Sequence, residues 1–286
     1  MSERDIKRRI RSVGEVQKIT RAMYLISSAN SQKAKDRLSI ADPYFTRIQE
    51  TMKELIEHTD PKDISLVTDN GPKRRAGIIV ITGDKGLCGD YNHNIINLAA
   101  KTMNELRYSY LLVVGAMGRD YFMRKGYNID TTLPYTAQDP TYASAVAISN
   151  IIFKFYRQGL LDEVFIVYTK YITSFKHTPT VLRVLPLDQE TLGVKERQRS
   201  HIMLKYIPSP QAVFKILTES YIKGVVYGAL VESYASEQTA RMTAMDSATK
   251  NAEDLIDKFK RLYNKERQGK ITREISEIIS SSEVLR

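Results

Sequence analysis

The chain has 286 residues, with 43 Lys or Arg against 33 Asp or Glu, a surplus of ten positive charges that predicts an acidic partner: nucleic acid, an anionic membrane surface or an acidic protein. A single cysteine, Cys88, excludes an internal disulfide and fits a reducing compartment. No apolar run reaches the ~20 residues of a membrane span, and the first residues are charged with no apolar signal core. The expectation is a soluble, intracellular protein, at most peripheral to a membrane.

From Ser2 to about Asp42 the sequence reads as one helix. Its 3/4 stripe begins Ile6, Ile10, Val13 and then turns small and polar: Gln17, Thr20, Tyr24, Ser27, Ser31, Ala34, Leu38. Ile19, Met23 and Ile26 fall on a neighbouring face. A two-stranded zipper would keep Leu or Ile along the seam. Asp42-Pro43 is expected to end or bend the helix, with Tyr44–His58 resuming it through Phe45, Ile48, Met52, Leu55 and Ile56. A polar linker with Pro61, Asn70-Gly71 and Pro72 follows, from Asp60 to Arg75.

The middle of the chain alternates strand and helix. Strands are expected at Ala76–Thr82, Tyr110–Gly115, Glu163–Tyr171 and Thr180–Leu187, and helices at Asn92–Leu106, Arg119–Lys125 and Thr141–Gln158. That alternation predicts an α/β domain with a largely parallel sheet. Lys195–Lys205 is charged and poorly patterned.

Pro208-Ser209-Pro210 then opens a last helix with proline in its first turn. No proline follows Pro210, and helix across the remaining residues could reach about 110 Å. A helix so long cannot bury its stripe within one small domain, so it needs a partner, and the other terminal helix is the nearest candidate. The expected stripe is Met245, Ala248, Ala252, Leu255, Phe259, Leu262, then Glu266 and Gly269, resuming out of phase at Ile271, Ile275 and Ile278. An antiparallel pairing sets Ile10 and Val13 beside Leu255-to-Leu262. Such a seam is poor in apolar area. Two readings stand: a solvated helical hairpin, or a coiled coil whose outer faces another protein encloses.

Residues 1–37 and 258–273 each carry a surplus of six basic groups. No aromatic-interleaved basic loop or helix-turn-helix spacing accompanies them. Charge alone leaves nucleic acid and an acidic protein surface equally open.

Gly83-Asp84-Lys85-Gly86-Leu87-Cys88-Gly89 sits between a strand and a helix, where phosphate loops sit, but its glycine spacing matches neither phosphate-binding pattern. A tight strand-to-helix turn explains the glycines. Cys88 lacks a nearby His partner, and His58, His93, His177 and His201 are scattered without metal-ligand spacing. Glu253, Asp254 and Asp257 read as solvated partners of nearby lysines. No catalytic constellation emerges.

Three segments carry a family resemblance. Ile6–Val13 (IKRRIRSV), continuing through Gln17–Met23 (QKITRAM), Thr82–Asn92 (TGDKGLCGDYN) and Ser236–Ile279 resemble, in order and at full family length, the signatures of the γ subunit family of F-type ATP synthases. The resemblance implies an α/β protein: a long antiparallel coiled coil of terminal helices (1–58 and 209–286) and a central Rossmann-like domain (76–195) that binds no nucleotide. It implies a rotating central stalk inside a ring of three α and three β subunits, with a foot on the ε subunit and the membrane c-ring. Catalysis lies on β. This chain is then non-catalytic, with no cofactor, no metal and no nucleic-acid partner.

Residue by residue, Arg267 and Gln268 match a pair that reaches loops of a β subunit, with Thr272 and Glu274 one turn on. Met23 matches a methionine beside the β lever, and Arg241 an arginine on the facing helix. Tyr206-Ile207-Pro208 aligns with a foot segment in which Ile207 replaces an acid, leaving Tyr206 as the ε/c-ring candidate. One cysteine and no insertion argue against thiol regulation. With no transit segment before Ile6, the expected setting is peripheral, on the cytoplasmic face of a bacterial plasma membrane. The rivals are a basic coiled-coil nucleic-acid-binding protein with an α/β head and a Rossmann-type nucleotide enzyme.

Overall fold

A computed structural model describes residues 2–58, 75–106, 108–130, 136–173, 176–187, 207 and 209–284. The expected linker from Asp60 to Arg75, apart from Arg75 itself, the charged segment at 195–205 and Tyr206 lie outside the described residues. The elements are α1 (Glu3–His58), β1 (Ala76–Ile81), α2 (Tyr91–Glu105), β2 (Tyr108–Val114), α3 (Ala116–Arg124), α4 (Tyr142–Arg157), β3 (Glu163–Thr173), β4 (Lys176–Leu185) and α5 (Pro210–Val284). The chain forms two compact units, residues 29–240 and residues 1–28 with 241–286, and α1 and α5 contribute to both.

The unit of residues 29–240 is built on a four-stranded sheet in the order β2-β1-β3-β4. β1 pairs parallel with β2 and β3, and β4 returns antiparallel on β3. Every residue of β1 is buried, as the continuous apolar run Ala76–Ile81 requires of a strand covered on both faces. Ile79 and Ile81 pack with Ala145, Ile148 and Ile152 of α4 and with Ile222, Val226 and Leu230 of α5. Ile78 and Val80 point the other way, onto Ile95, Ala99 and Met103 of α2 and Phe122 of α3. The last helix is thus part of the sheet's cover before it is anything else. At the β2–α3 turn Gly115 adopts φ +94°, and an added Cβ would meet the Thr82 carbonyl oxygen at 2.3 Å, so only glycine fits.

Ser2 precedes α1 and caps it: its hydroxyl accepts from the Asp5 amide at 3.2 Å and donates to the Asp5 carboxylate at 2.7 Å. That hydroxyl and the Ser2 backbone hold the Asp5 carboxyl below its ordinary range. Ser209 does the same for α5, accepting from the Ala212 amide, with Pro210 at the first helical position where no N–H is needed.

Of the two outcomes expected at Pro43, an end or a bend, the end does not occur: α1 runs through it. An interior proline costs about 3 kcal/mol, and packing against α5 on both sides of it offsets that cost. Ala34 and Leu38 lie against Val231 and Ala235, and Ile48, Met52 and Leu55 cluster with Phe214. Phe45 reaches so close to α5 that a Cβ on Gly224 would lie 2.1 Å from its ring.

In the other unit α1 and α5 run antiparallel. Gln17 Nε2 donates to Glu253 Oε1 at 3.0 Å, the Thr20 and Thr249 hydroxyls meet at 2.8 Å, and the Arg9 guanidinium lies 6.0 Å from the Phe259 ring centre. Tyr263 pairs with Glu3, which raises the phenol's pKa. The α1 stripe faces inward where expected: Ile6, Thr20 and Ser27 are buried, and Ile10, Val13, Gln17 and Tyr24 half-buried. On α5 the stripe differs in one of its two positions per heptad. Met245, Ala252 and Phe259 face the seam, but Thr249, Ile256 and Tyr263 accompany them, while Leu255 and Leu262 are exposed.

Candidate functional site

The unit of residues 1–28 and 241–286 buries polar side chains and leaves large apolar ones outside. Its buried residues include Thr20, Ser27, Thr249 and Arg241, while Val16, Ile19, Leu25, Ile26, Leu255 and Leu262 are exposed. The seam mixes hydroxyls and an alanine with Ile6, Met245 and Phe259, and six further large apolar side chains are left on the outer faces. An exposed apolar surface of this kind, mixed with basic side chains, marks a docking surface.

Beyond Glu266 the pattern becomes extreme. Every described side chain from 267 to 279 is exposed, including Ile271, Ile275, Ile278 and Ile279. On a helix Ile271, Ile275 and Ile278 share one face, and Arg267 and Gln268 stand four and three residues before Ile271 at its base. Thr272 sends its hydroxyl back to the Gln268 carbonyl at 3.0 Å, and Glu274 pairs with Lys270 at 3.7 Å. Arg267 can offer a planar fork of donors to a carboxylate or to carbonyls.

The remaining expected residues lie elsewhere on the same unit. Met23 is half-buried on α1 and Arg241 buried on α5. The Thr20–Thr249 and Gln17–Glu253 pairs set Met23 level with residue 246, about a turn and a half from Arg241. Arg241 and Arg267 stand about 39 Å apart along α5. The six residues therefore form two stations on one rod.

A second place was not anticipated by sequence. In open parallel sheets ligands bind at the carboxyl ends of the strands where the chain's crossovers change face. Here α2 covers one face and α4 the other, so that crevice lies between the ends of β1 and β3. Helix α5 fills it. The Tyr91 hydroxyl donates to the Ser233 carbonyl at 3.1 Å, and a Cβ on Gly83 would lie 2.9 Å from Cδ of Glu237. Beyond Val167, where β1 no longer accompanies β3, the Thr169 amide donates to Ser233 Oγ at 3.2 Å and the Tyr171 amide to Glu232 Oε2 at 3.1 Å. The Ser236 hydroxyl donates to the Thr169 carbonyl at 3.4 Å, and Lys35 of α1 lies over the Tyr171 ring. Burial raises the pKa of Glu232 and of the Tyr91 phenol.

The glycine-rich turn is knit from within. Gly83 donates its amide to Asn92 Oδ1 at 2.8 Å, and Asn92 Nδ2 donates to the Lys85 carbonyl and to Cys88 Sγ. Asp84 accepts from the Ala116 amide at the start of α3 and from the Ala137 and Gln138 amides. A carboxylate thus already stands at the helix terminus that would attract an anion. Among the described residues no group of three His, Cys, Asp or Glu is placed to hold a metal ion, and no helix is long and apolar enough to cross a membrane.

A family model described as ATP synthase matches residues 2–285. The chain is 42% identical to the ATP synthase gamma chain of Caldanaerobacter subterraneus subsp. tengcongensis, over 99% of this chain and 100% of the relative. It is 40% identical to that of Alkaliphilus metalliredigens, over 99% of this chain and 98% of the relative. In fold it is similar to a chain of the Euglena gracilis mitochondrial ATP synthase, solved as its OSCP, F1 and c-ring assembly, with a TM-score of 0.66 and 16% identity over 99% of this chain and 94% of that one. A chain from the rotor of the same enzyme gives a TM-score of 0.64 at 14% identity, over 94% and 98%.

Proposed function

The chain belongs to the family of ATP synthase gamma chains, and from that premise we propose that it is the central stalk of a rotary ATP synthase, turning inside a ring of three α and three β subunits. The observation that carries this reading is the helix pair's distribution of side chains: a lean seam of mixed hydroxyl and apolar residues within, and further isoleucines, leucines and basic side chains without. A rod enclosed by a sleeve needs that pattern, because its outer surface is buried only in the complex. The shaft then comprises residues 1–58 and 209–286 and the head residues 76–195. Chemistry takes place on β, and the stalk changes the affinities of the β sites in turn as it rotates.

Arg267 and Gln268, supported by Thr272 and Glu274, are the station that grips β loops near the end of α5; Met23 and Arg241 are the station at the β lever. The foot, with Tyr206, meets the ε subunit and the c-ring, so the chain is held peripherally at the cytoplasmic face of the membrane. With α5 lying in the sheet's crevice and Asp84 at the start of α3, the head binds no nucleotide.

Coexpression with the α, β and ε subunits of the same source, followed by native mass measurement, tests the reading. The expected species contains three α, three β and one copy of this chain. A ring that forms without it, or a chain that never joins the ring, would overturn the assignment.

A further inference from the structure

Helix α5 occupies the crevice in which parallel α/β sheets ordinarily receive a ligand, and the contacts there are directional. We propose that this crevice is a torque grip: hydrogen bonds that join β3 and α2 with Glu232, Ser233 and Ser236 hold α5 against turning about its own axis, so that sheet and helix rotate together. The proposal rests on the rotor reading above.

Apolar side chains packed on a sheet can exchange one neighbour for another as a helix rolls. Hydrogen bonds to single backbone groups cannot. Ser233 and Ser236 lie on the same face of α5 one turn apart; the first is held twice, by the Thr169 amide through its hydroxyl and by Tyr91 through its carbonyl, and the second reaches the Thr169 carbonyl. Glu232 holds the flank through the Tyr171 amide. Ser233 and Ser236 are buried. A roll of α5 by one residue, about 100°, breaks all four bonds together. It parts the Thr169 and Tyr171 amides from their acceptors on α5 and takes the Tyr171 donor from the half-buried Glu232 carboxylate, which costs stability. The same bonds finish β3 where β1 has ended, so α5 stands in for a missing strand. Helix α5 continues unbroken from this point to Val284, so a twist resisted here is delivered along the rest of the rod.

Two measurements test the grip. In the full chain, hydrogen exchange at the Thr169 and Tyr171 amides should accelerate about tenfold in Ser233→Ala/Ser236→Ala and in Glu232→Ala respectively, while Glu232→Gln, which keeps an acceptor oxygen, retains the protection of Tyr171. In the whole membrane-bound complex, ATP hydrolysis without a gradient should stay at the wild-type level in the alanine variants, whereas gradient-driven ATP synthesis falls about tenfold. Unchanged amide protection overturns the grip, and so do hydrolysis and synthesis falling in parallel, since a merely structural role moves both. Should the double variant fail to fold, Ser236→Ala alone loses only the longest bond, and its ratio of synthesis to hydrolysis decides. Failure of the rotor reading shows separately, as a wild-type chain that never enters the complex.

Discussion

The sheet unit and the two-helix unit of this chain solve opposite problems. Around β1 the apolar residues turn inward from both faces, and Ile78, Ile79, Val80, Ile166 and Val167 are all fully buried or nearly so. In the two-helix unit a buried threonine pair occupies the seam while Ile19, Leu25 and Ile26 face outward. The sheet unit carries its own hydrophobic stabilisation, at about 25 cal/mol per Å² of apolar surface. The helix pair has little to draw on within the chain and leaves its apolar surface for something else to bury. One polypeptide thus combines a self-sufficient body with a rod finished only by its surroundings.

The contrast is sharpest in one chemical change made twice. Ile166→Ala, in the centre of β3, should destabilise the free chain by about 2–5 kcal/mol, through lost transfer energy and the cavity left behind. Ile19→Ala, on the outer face of α1, should move it by no more than ~0.5 kcal/mol, since the site is exposed and alanine is the better helix former. Chemical denaturation of the isolated chain reads both. A comparable loss at Ile19 would mean that the outer face is already covered within the chain and that the two units do not differ as described.

The seam's own contribution is smaller and can be isolated. Thr20 and Thr249 share a hydrogen bond, and each hydroxyl also lies within reach of a carbonyl on its own helix, Gln17 or Met245. Thr20→Val and Thr249→Val should therefore each cost about 1 kcal/mol rather than the full penalty of an orphaned group. The double variant should cost less than the sum, with a coupling of about 1 kcal/mol. Strict additivity in thermal unfolding of the chain would show that the hydroxyls do not support one another across the seam.

The sequence made the sheet unit legible because its signal is local: AGIIVI between turn residues can only be a covered strand, and the helices α2 and α4 follow at the spacing of parallel crossovers. The inward stripe of α1 was legible too, since Thr20, Ser27 and Ser31 sit in phase with Ile6. On α5 hydrophobicity misdirects. Leu255 and Leu262 outrank Thr249 and Tyr263 on any apolar scale, yet they face outward, because the inward stripe steps Met245, Thr249, Ala252, Ile256, Phe259, Tyr263 and leaves each leucine one residue out of phase. Pro43 does not stop the helix, since tertiary packing by Phe45 and Ile48 on α5 offsets the local breaker. The filled crevice had no local signal at all. Gly83 and Glu237 are far apart in sequence, and nothing in either segment announces the other. Arg267 and Gln268 could be placed on a helix from periodicity, but their role rests on family resemblance, since an exposed Arg-Gln pair on a basic helix looks like any solvated face.

That pair provides the smallest expected effect on folding and, for the same reason, the cleanest separation of the rod from its sleeve. Arg267 and Gln268 are exposed, and alanine is as good a helix former as either, so Arg267→Ala/Gln268→Ala should leave the stability of the free chain within ~0.5 kcal/mol. If the pair grips β loops as proposed, the same change in the assembled complex removes a forked, charge-assisted donor set, worth ~1.5–3 kcal/mol, and should shift the population of one rotary state by roughly tenfold or more. The complex should therefore form with normal stoichiometry while coupled ATP synthesis and steady hydrolysis both fall. Arg267→Lys keeps the charge but not the fork and should recover only part of the loss. Wild-type rates in a fully assembled double variant would move the contact elsewhere, and the exposed face of Ile271 and Ile275 would then be the next stretch of the rod to truncate.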